Sequence, residues 1–339
     1  MAVTIKEIAK LADVSAATVS MVLNDKEGIS PVTRERVLKI AKDKGYSFSK
    51  KSNAAKGNLQ LTIYKKHSKV VNDTPFFQTL IEGIESEARH NSYKLNITYI
   101  SSHSDITSVM SDAKKHSVDG MLLLGTEMEE EDFVKFLNFD IPILLLDSNF
   151  VDVNSNSVVI DNVSGTYKGT KYFIEKGHTQ IGYLKSSISI QNFKERFEGY
   201  RKALNEHQIE FDPGYVIPLM PNMDGAYKDM KAYLAGKPNL ATAYIADNDL
   251  IAMGAIKAIK ELSINIPDQV SIIGFDDMPF SMMVEPALTT ISVDKKFFGR
   301  LAVDNLIDII QGKNRSFFKT VLGVDLVERK SVRDLNKSL

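Results

Sequence analysis

The sequence contains no cysteine, which excludes disulfide bonds and thiolate metal sites and suits a reducing cytoplasm. No stretch approaches the roughly 20 apolar residues of a membrane-spanning helix. The first residues, MAVTIKEIAKLADV, mix charge into their apolar pattern, unlike a secretory signal. Neither G-x-G-x-x-G nor G-x-x-x-x-G-K-[ST] follows a candidate strand, so the phosphate cradles of dehydrogenases and P-loop enzymes are not expected. There is no G-x-S-x-G elbow for a hydrolase. His67, His103 and His116 share no helix face with carboxylates at metal-ligand spacing. Catalytic residues, a cofactor and a metal are therefore not expected.

The composition, 43% hydrophobic and 25% charged, is that of a soluble globular protein, and the length suffices for two or three structural units with a sizeable core. The overall net charge of −1 hides an asymmetry. Residues 1–60 carry +5 and the remainder −6. A basic head on an acidic body suits a polyanionic partner, and equally a solvated lysine-rich surface.

Spacing predicts three short helices in that head. Ile5, Ile8, Ala9 and Ala12 recur at helical intervals behind Thr4, a natural N-cap. Ser15 can cap a second helix that buries Val19, Val22 and Leu23. Ser30 can cap a third, with Pro31 in its first turn, Gly45 ending it, and Val32, Val37, Ile40 and Ala41 facing the core. Two short helices joined by a tight turn and braced by a third is the geometry that sets the second helix into the major groove. A small bundle for protein contacts has the same pattern.

The stretches TIKEIAKLADVSAATVSMVLN and ISPVTRERVLKIAKDKGY resemble the headpiece of the lactose-repressor (LacI/GalR) family of bacterial transcription regulators. The resemblance implies a helix-turn-helix headpiece over 1–48 that binds double-stranded, pseudo-palindromic operator DNA. Thr4, Ser15, Thr18, Ser20, Asn24, Ser30 and Thr33 would lie near phosphates, where hydroxyl and amide groups position a protein. Ala16, Ala17 and Met21 would face the bases. The family usually has an arginine at the position of Met21, and three apolar residues can meet thymine methyls but cannot form an arginine–guanine fork. AT-rich half-sites are therefore expected. In residues 49–60 the resemblance implies a hinge, with Lys50 and Lys51 on phosphates and Ala55 where a leucine wedge usually enters the minor groove. Alanine unstacks bases poorly, and a flexible linker is the other reading of this segment.

Beyond residue 60 short apolar runs (LTIY, KLNITYI, GMLLLG, PILLLD, SVVI, QIGYL, YVIPL, ATAYIA, SIIGF) alternate with amphipathic stretches. The pattern predicts an α/β body with parallel sheets covered on both faces, large enough for two lobes. Ligands in such folds bind beyond the carboxyl ends of strands. DTPFFQTLIEGIE, VDGMLLLG, RFEGYRKAL, ADNDLIAMGAIKAIKE and IPDQVSIIGFDD are similar to the effector-binding core of the same family, which resembles periplasmic sugar-binding proteins. That implies a core over 61–339, with one lobe near 61–160 and 293–320 and the other near 162–290 and 321–330.

Polar residues cluster at the strand ends, where such a cleft lies. Asp147, Asn248, Asp276 and Arg196 offer acceptors and a planar donor fork to sugar hydroxyls, and Phe76, Phe193 and Phe280 are candidate faces for the ring. The resemblance adds Thr74 and marks Arg196, Asn248 and Asp276 as the most regular effector contacts. Asp249 and Asp277 read equally as helix N-caps. Lys65, Lys66 and His67 end the first strand and could line the cleft, which would suit an anionic or highly hydroxylated effector. The function implied is a transcription regulator, a repressor by expectation, controlled by a sugar or sugar derivative and acting in the cytoplasm at the nucleoid. A purine or a phosphoprotein co-repressor stays open as effector, and a solute receptor or a NAD-type enzyme as an alternative function. Reading a pseudo-palindrome requires a two-fold dimer. The tail VERKSVRDLNKSL has no apolar heptad for a tetramerising coil.

Overall fold

The computed structural model of the chain describes residues 3–23, 28–44, 46, 55–71, 74–104, 106–314 and 316–337. They fall into two compact units, Met1–Lys56 and Gly57–Leu339.

The first unit holds α1 (Ile5–Leu11), α2 (Ala16–Leu23) and α3 (Pro31–Asp43). Local chemistry starts each helix. The Thr4 hydroxyl accepts from the Glu7 amide at 3.3 Å while the Glu7 carboxylate accepts from the Thr4 amide at 2.7 Å, a reciprocal capping box. Ser15 Oγ accepts from the Thr18 amide at 3.0 Å, and Ser30 Oγ from the Thr33 amide at 3.2 Å, with Pro31 in the first turn of α3. Ile8, Ala12, Val19, Val22, Leu23, Val37 and Ala41 form the small core. Val32 is not part of it. Pro31 and Val32 open α3 on its outer side, and Val32 is 75% exposed. Gly45 lies outside the described residues.

The second unit contains two six-stranded sheets. The chain first lays down β1 (Gly57–Lys65), α4 (Pro75–His90), β2 (Tyr93–Ser101), α5 (Ile106–Lys115), β3 (Val118–Leu124), α6 (Glu130–Val134), β4 (Ile143–Leu146) and β5 (Asn156–Ile160). It then crosses to the second lobe. There it forms α7 (Asn162–Glu175), β6 (Ile181–Ser186), α8 (Gln191–Glu206), β7 (Val216–Leu219), α9 (Met223–Ala235), β8 (Ala243–Ala246), α10 (Asp249–Glu261), β9 (Ser271–Asp276) and β10 (Thr289–Ser292). It returns with α11 (Lys295–Ile310) and β11 (Lys319–Leu322), and β12 (Asp325–Val327) crosses once more. The sheet orders are β11-β5-β4-β3-β1-β2 and β12-β10-β9-β8-β6-β7. Neighbouring strands run parallel except β12, which is antiparallel to β10. Residues 57–60, expected in the linker, belong to β1: Leu59 and Gln60 are buried and the strand pairs with β2 from Gly57 onward.

Helices cover both faces of each sheet, so central strands are apolar without alternation, as in β3 and β8. In the first lobe α4 and α11 pack together over one face with Leu61, Ile63, Leu122 and Leu144, while Phe133 and Phe136 close the other. A Cβ on Gly83 would stand 2.4 Å from the Lys296 carbonyl oxygen, and one on Gly299 2.5 Å from that of Leu80. The two helices can touch only because both positions lack a side chain. In the second lobe α9 and α10 cover one face, and α7 and α8 the other. The C-terminal strap is fastened to this lobe by Ser331 and by buried His178, which hydrogen-bonds the Arg333 carbonyl at 3.1 Å. Among the described residues no helix is long and apolar enough to cross a membrane.

Candidate functional site

In both sheets the strand order reverses beside the first strand, between β1 and β3 and between β6 and β8. The crevice beyond the carboxyl ends at such a reversal is where open α/β sheets accept ligands. Here the crevices of the two lobes share one cavity of about 450 Å³, counted to its open mouth, lined by Val70, Thr126, Asp147, Asn192, Arg196 and Asp276 among others. Asp147 directly follows β4 at φ +61° and Asp276 ends β9 at φ +112°. Both are left-handed conformations that cost a non-glycine residue energy and tend to be retained at functional sites.

Arg196 organises the cavity. It projects from α8 with its guanidinium 3.6 Å from the centre of the Phe275 ring. Nε donates to Asn162 Oδ1 at 2.8 Å and Nη1 to the Asp247 carbonyl at 2.5 Å, and Nη1 lies 3.4 Å from Asp276 Oδ1. A buried guanidinium is tolerable only with such compensation, and its remaining donors are available to a ligand. Asp147 accepts from Thr126 Oγ1 at 2.6 Å and from Asn192 Nδ2 at 2.9 Å. Burial pushes its carboxyl up to about 6 against these donors and the Arg196 charge. Burial also raises Asp276, opposed by Arg196 and Lys295. Asn248 caps α10, its Oδ1 accepting from the Ile251 amide at 2.8 Å, while its Nδ2 donates to the Pro221 carbonyl at 3.5 Å.

Thr74, Phe76, Asp147, Phe193, Arg196, Asn248 and Asp276 all line the cavity. Two expected residues do not. His67 lies in an adjoining outer pocket with Lys66, because its ring rests against buried Glu127, Nδ1 to Oε1 being 3.2 Å. Phe280 sits in a 3-10 turn, Pro279–Met282, whose inward position is taken by Ser281, so the phenyl ring is 49% exposed. Nor do the lysines form a cationic cluster: Lys66 pairs with Glu129 and Asp132, and Lys65 lies over the Tyr99 ring.

Asp249 and Asp277 are not caps. Asp249 is the first residue of α10 and is fully buried, accepting from the Met278 amide at 2.8 Å, Ser281 Oγ at 2.6 Å and Thr290 Oγ1 at 2.5 Å. Burial, and next the Asp276 charge, push it up to about 7. Asp277 pairs with Arg329 at 2.6 Å. Thr126, Asn192, Asn162 and Asp247 went unread in the sequence. Asn192 had a signal, standing one helical turn before Arg196 on the same face of α8. Asp247 takes the Tyr183 hydroxyl at 2.5 Å and the Ser186 amide at 2.6 Å. Its place directly after β8 is the same signal that marks Asp147 after β4.

In the first unit Ser15, Ala16 and Ala17 are exposed at the start of α2, and Thr18, Ser20 and Met21 are half-buried behind them. The hydroxyls of Ser15 and Thr18 lie 2.9 Å apart, and those of Ser30 and Thr33 2.8 Å apart. The opening turns of α2 and α3 thus present hydroxyl pairs beside helix N-termini, a favourable environment for phosphate. Ala55 is half-buried. Asn24, Lys50 and Lys51 lie outside the described residues.

Residues 4–49 match the lacI family of bacterial regulatory proteins, and residues 170–332 a periplasmic binding protein-like domain. The HTH-type transcriptional repressor PurR of Haemophilus influenzae is 31% identical over 98% of this chain and 99% of its own length. The ribose operon repressor of that organism is 29% identical over the same shares. Among solved structures, the transcriptional regulator CelR in complex with cellobiose superposes with a TM-score of 0.71 at 25% identity, covering 97% of this chain and 99% of its own. The lac repressor dimer bound to operator and the anti-inducer ONPF gives 0.70 at 25% identity, covering 98% and 100%. PurR, the ribose operon repressor and the lac repressor are repressors by name, and CelR is a transcriptional regulator. With its capped helix-turn-helix headpiece and two-lobed core, this chain belongs to the lacI family of bacterial regulatory proteins and is a DNA-binding transcription regulator.

Proposed function

We propose that the protein is a homodimeric repressor whose hold on a pseudo-palindromic operator is set by a small, neutral, polyhydroxylated effector, a sugar or sugar derivative, closed between its lobes. One observation carries this reading: Asp147, Asn192, Arg196, Asn248 and Asp276, drawn from both lobes, converge with Phe76 and Phe193 on one cavity. Carboxylates, amides and a guanidinium suit paired hydroxyls, and phenyl faces suit the apolar side of a sugar ring. The ribose operon repressor and the CelR–cellobiose complex among the relatives support the same class. The pairing of Lys66 with Glu129 and Asp132, and of His67 with Glu127, favours a neutral effector over a phosphorylated one. The effector is bound without chemical change.

A ligand spanning both lobes stabilises their closed arrangement only by its differential affinity for it, and the reciprocal effect on operator binding follows by linkage. Self-association is assigned to surfaces that leave apolar residues outside, chiefly Phe280, Met282 and Met283 on the second lobe and Ile97 and Tyr99 on edge strand β2. On the operator, Thr4, Ser15, Thr18, Ser20, Asn24, Ser30, Thr33, Lys50 and Lys51 would hold phosphates, Ala16, Ala17 and Met21 would meet thymine methyls, and Ala55 would occupy the hinge. The same reading has the protein act in the cytoplasm, at the nucleoid. A thermal-shift screen of sugars, sugar phosphates and nucleobases, followed by gel shifts on selected operator DNA with and without the hit, tests it. A phosphorylated compound or nucleobase outranking every neutral sugar would overturn the effector class.

A further inference from the structure

The segment after β1 carries no regular structure from Lys66 to Val71, yet it is tightly organised by one side chain. Glu127, on the loop after neighbouring strand β3, has its carboxylate fully buried. Its Oε2 accepts from the amides of His67 at 3.0 Å and Ser68 at 2.9 Å, and its Oε1 from those of Val70 at 2.8 Å and Val71 at 2.9 Å. Ser68 adopts φ +53° to bring these N–H groups onto one point. Burial would drive the carboxyl up, but the N–H groups of His67, Val70 and Val71 outweigh it and hold the group below its usual range. The carboxylate is thus the anion of a main-chain nest.

The gathered segment ends in two valines with different tasks. Val71 is buried in the core of the first lobe. Val70 lines the effector cavity. Thr126, the residue before Glu127, lines the same cavity and donates to Asp147. Two loops that emerge side by side at the carboxyl ends of β1 and β3 are therefore stapled together where the cavity wall turns from polar Thr126 to apolar Val70. His67 is turned outward by the same carboxylate.

We propose that Glu127 is a specificity-determining positioning residue: by gathering four main-chain N–H groups it sets where Val70 stands in the cavity wall, and so which effector fits. The proposal rests on the reading of this cavity as the effector site. In Glu127→Gln the amide nitrogen would face N–H donors and orphan them in the interior, a cost of the order that changes an equilibrium about tenfold. Val70 would then relax into or away from the cavity.

The test measures affinities of the full chain for D-ribose, D-glucose, D-galactose and cellobiose by calorimetry, for wild type, Glu127→Gln, Val70→Ala and the double variant. The expected result is that Glu127→Gln weakens the preferred sugar about tenfold and changes the ratio between sugars. Val70→Ala should change that ratio in the same direction, and the double variant should change it no further, since the two act through one wall. A uniform loss across all four sugars, or ratio changes that add in the double variant, would overturn the proposal while leaving the effector reading intact. Binding of none of the four by wild type would overturn the reading itself. If Glu127→Gln does not fold, Val70→Ala decides: an unchanged ratio overturns the proposal.

Discussion

Asn192 of the second lobe donates its side-chain amide to Asp147 of the first at 2.9 Å. This buried bond joins the lobes within the cavity lining, and it uses an acceptor that a bound hydroxyl would also seek. Asn192→Ala should therefore loosen lobe closure, while Asp147→Ala removes the acceptor for both partners. Loss of a hydrogen bond to a charged group predicts roughly 10- to 100-fold weaker effector binding in Asp147→Ala. Calorimetry with the hit from the screen checks this. Unaltered effector affinity would count against the assignment.

Arg196 holds four elements together through Asn162, the Asp247 carbonyl, Asp276 and the Phe275 ring. Arg196→Lys keeps the charge but loses the planar fork and the stacking. Arg196→Ala also takes the paired guanidinium from buried Asp276, leaving only the Lys295 charge beside it, and removing one partner of a buried pair costs about 3–5 kcal/mol. Urea denaturation should rank the proteins wild type, Arg196→Lys, Arg196→Ala. An alanine variant as stable as wild type would contradict the account.

Stability should fall from pH 5 to pH 8. Burial pushes Asp147 and Asp247 up to about 6 and Asp249 up to about 7, whereas an unfolded aspartate titrates near about 4. Between those values the folded chain binds more protons than the unfolded one. Their contribution is thus fully present below about 4 and lost as pH rises through about 6 to 7, by at most roughly 1.4 kcal/mol per unit for each group. His178 acts oppositely: burial lowers its pKa, so its contribution is lost as pH falls below about 6.5. Three carboxylates outweigh one imidazole. Asp249→Asn should flatten the decline measured by urea denaturation, and an equally steep decline in that variant would exclude Asp249 as its source.

Met21 stands half-buried on α2, and under the proposed docking of α2 an arginine at this position would meet the major groove. Met21→Arg should introduce a preference for G·C in each half-site worth about 1–3 kcal/mol. Selection from randomised DNA should return AT-rich half-sites for wild type and a fixed guanine for the variant. Guanine under α2 of the wild-type protein would sink the methyl-contact reading.

Gly83→Ala should destabilise the core by about 1–3 kcal/mol, since the added methyl meets the Lys296 backbone rather than a movable side chain. Gly312→Ala is a control with open space around it, although its φ of +67° adds a conformational cost of its own. Thermal denaturation should rank Gly83→Ala below the control.

The headpiece was legible because its information is local. Thr4, Ser15 and Ser30 cap their own helices three residues away, and apolar spacing marks the buried faces. Val32 misled because its spacing fits the stripe while its place in the first turn of α3 faces outward. In the body, continuous apolar runs marked β1 through β9. The strands β10, β11 and β12 carry no such signal, because Thr289, Thr290 and Ser292, Lys319 and Thr320, and Asp325 interrupt their apolar runs. Polar residues directly after strands, such as Asp147 and Asp276, could be read because a carboxyl end is where such folds present side chains.

What no local pattern contains is which loop ends meet. Asp147 and Asn192 are 45 residues apart, and Glu127 reaches back 56 to 60 residues to its four amides. His67 and Phe280 carried the right chemistry at the right strand ends, yet Glu127 turns one outward and Ser281 displaces the other. Sequence by itself determined the helix caps, the apolar strands and the residues able to bind; sheet order and lobe closure decided which of them share a cavity, because contacts between loops depend on strand adjacency in space rather than on spacing along the chain.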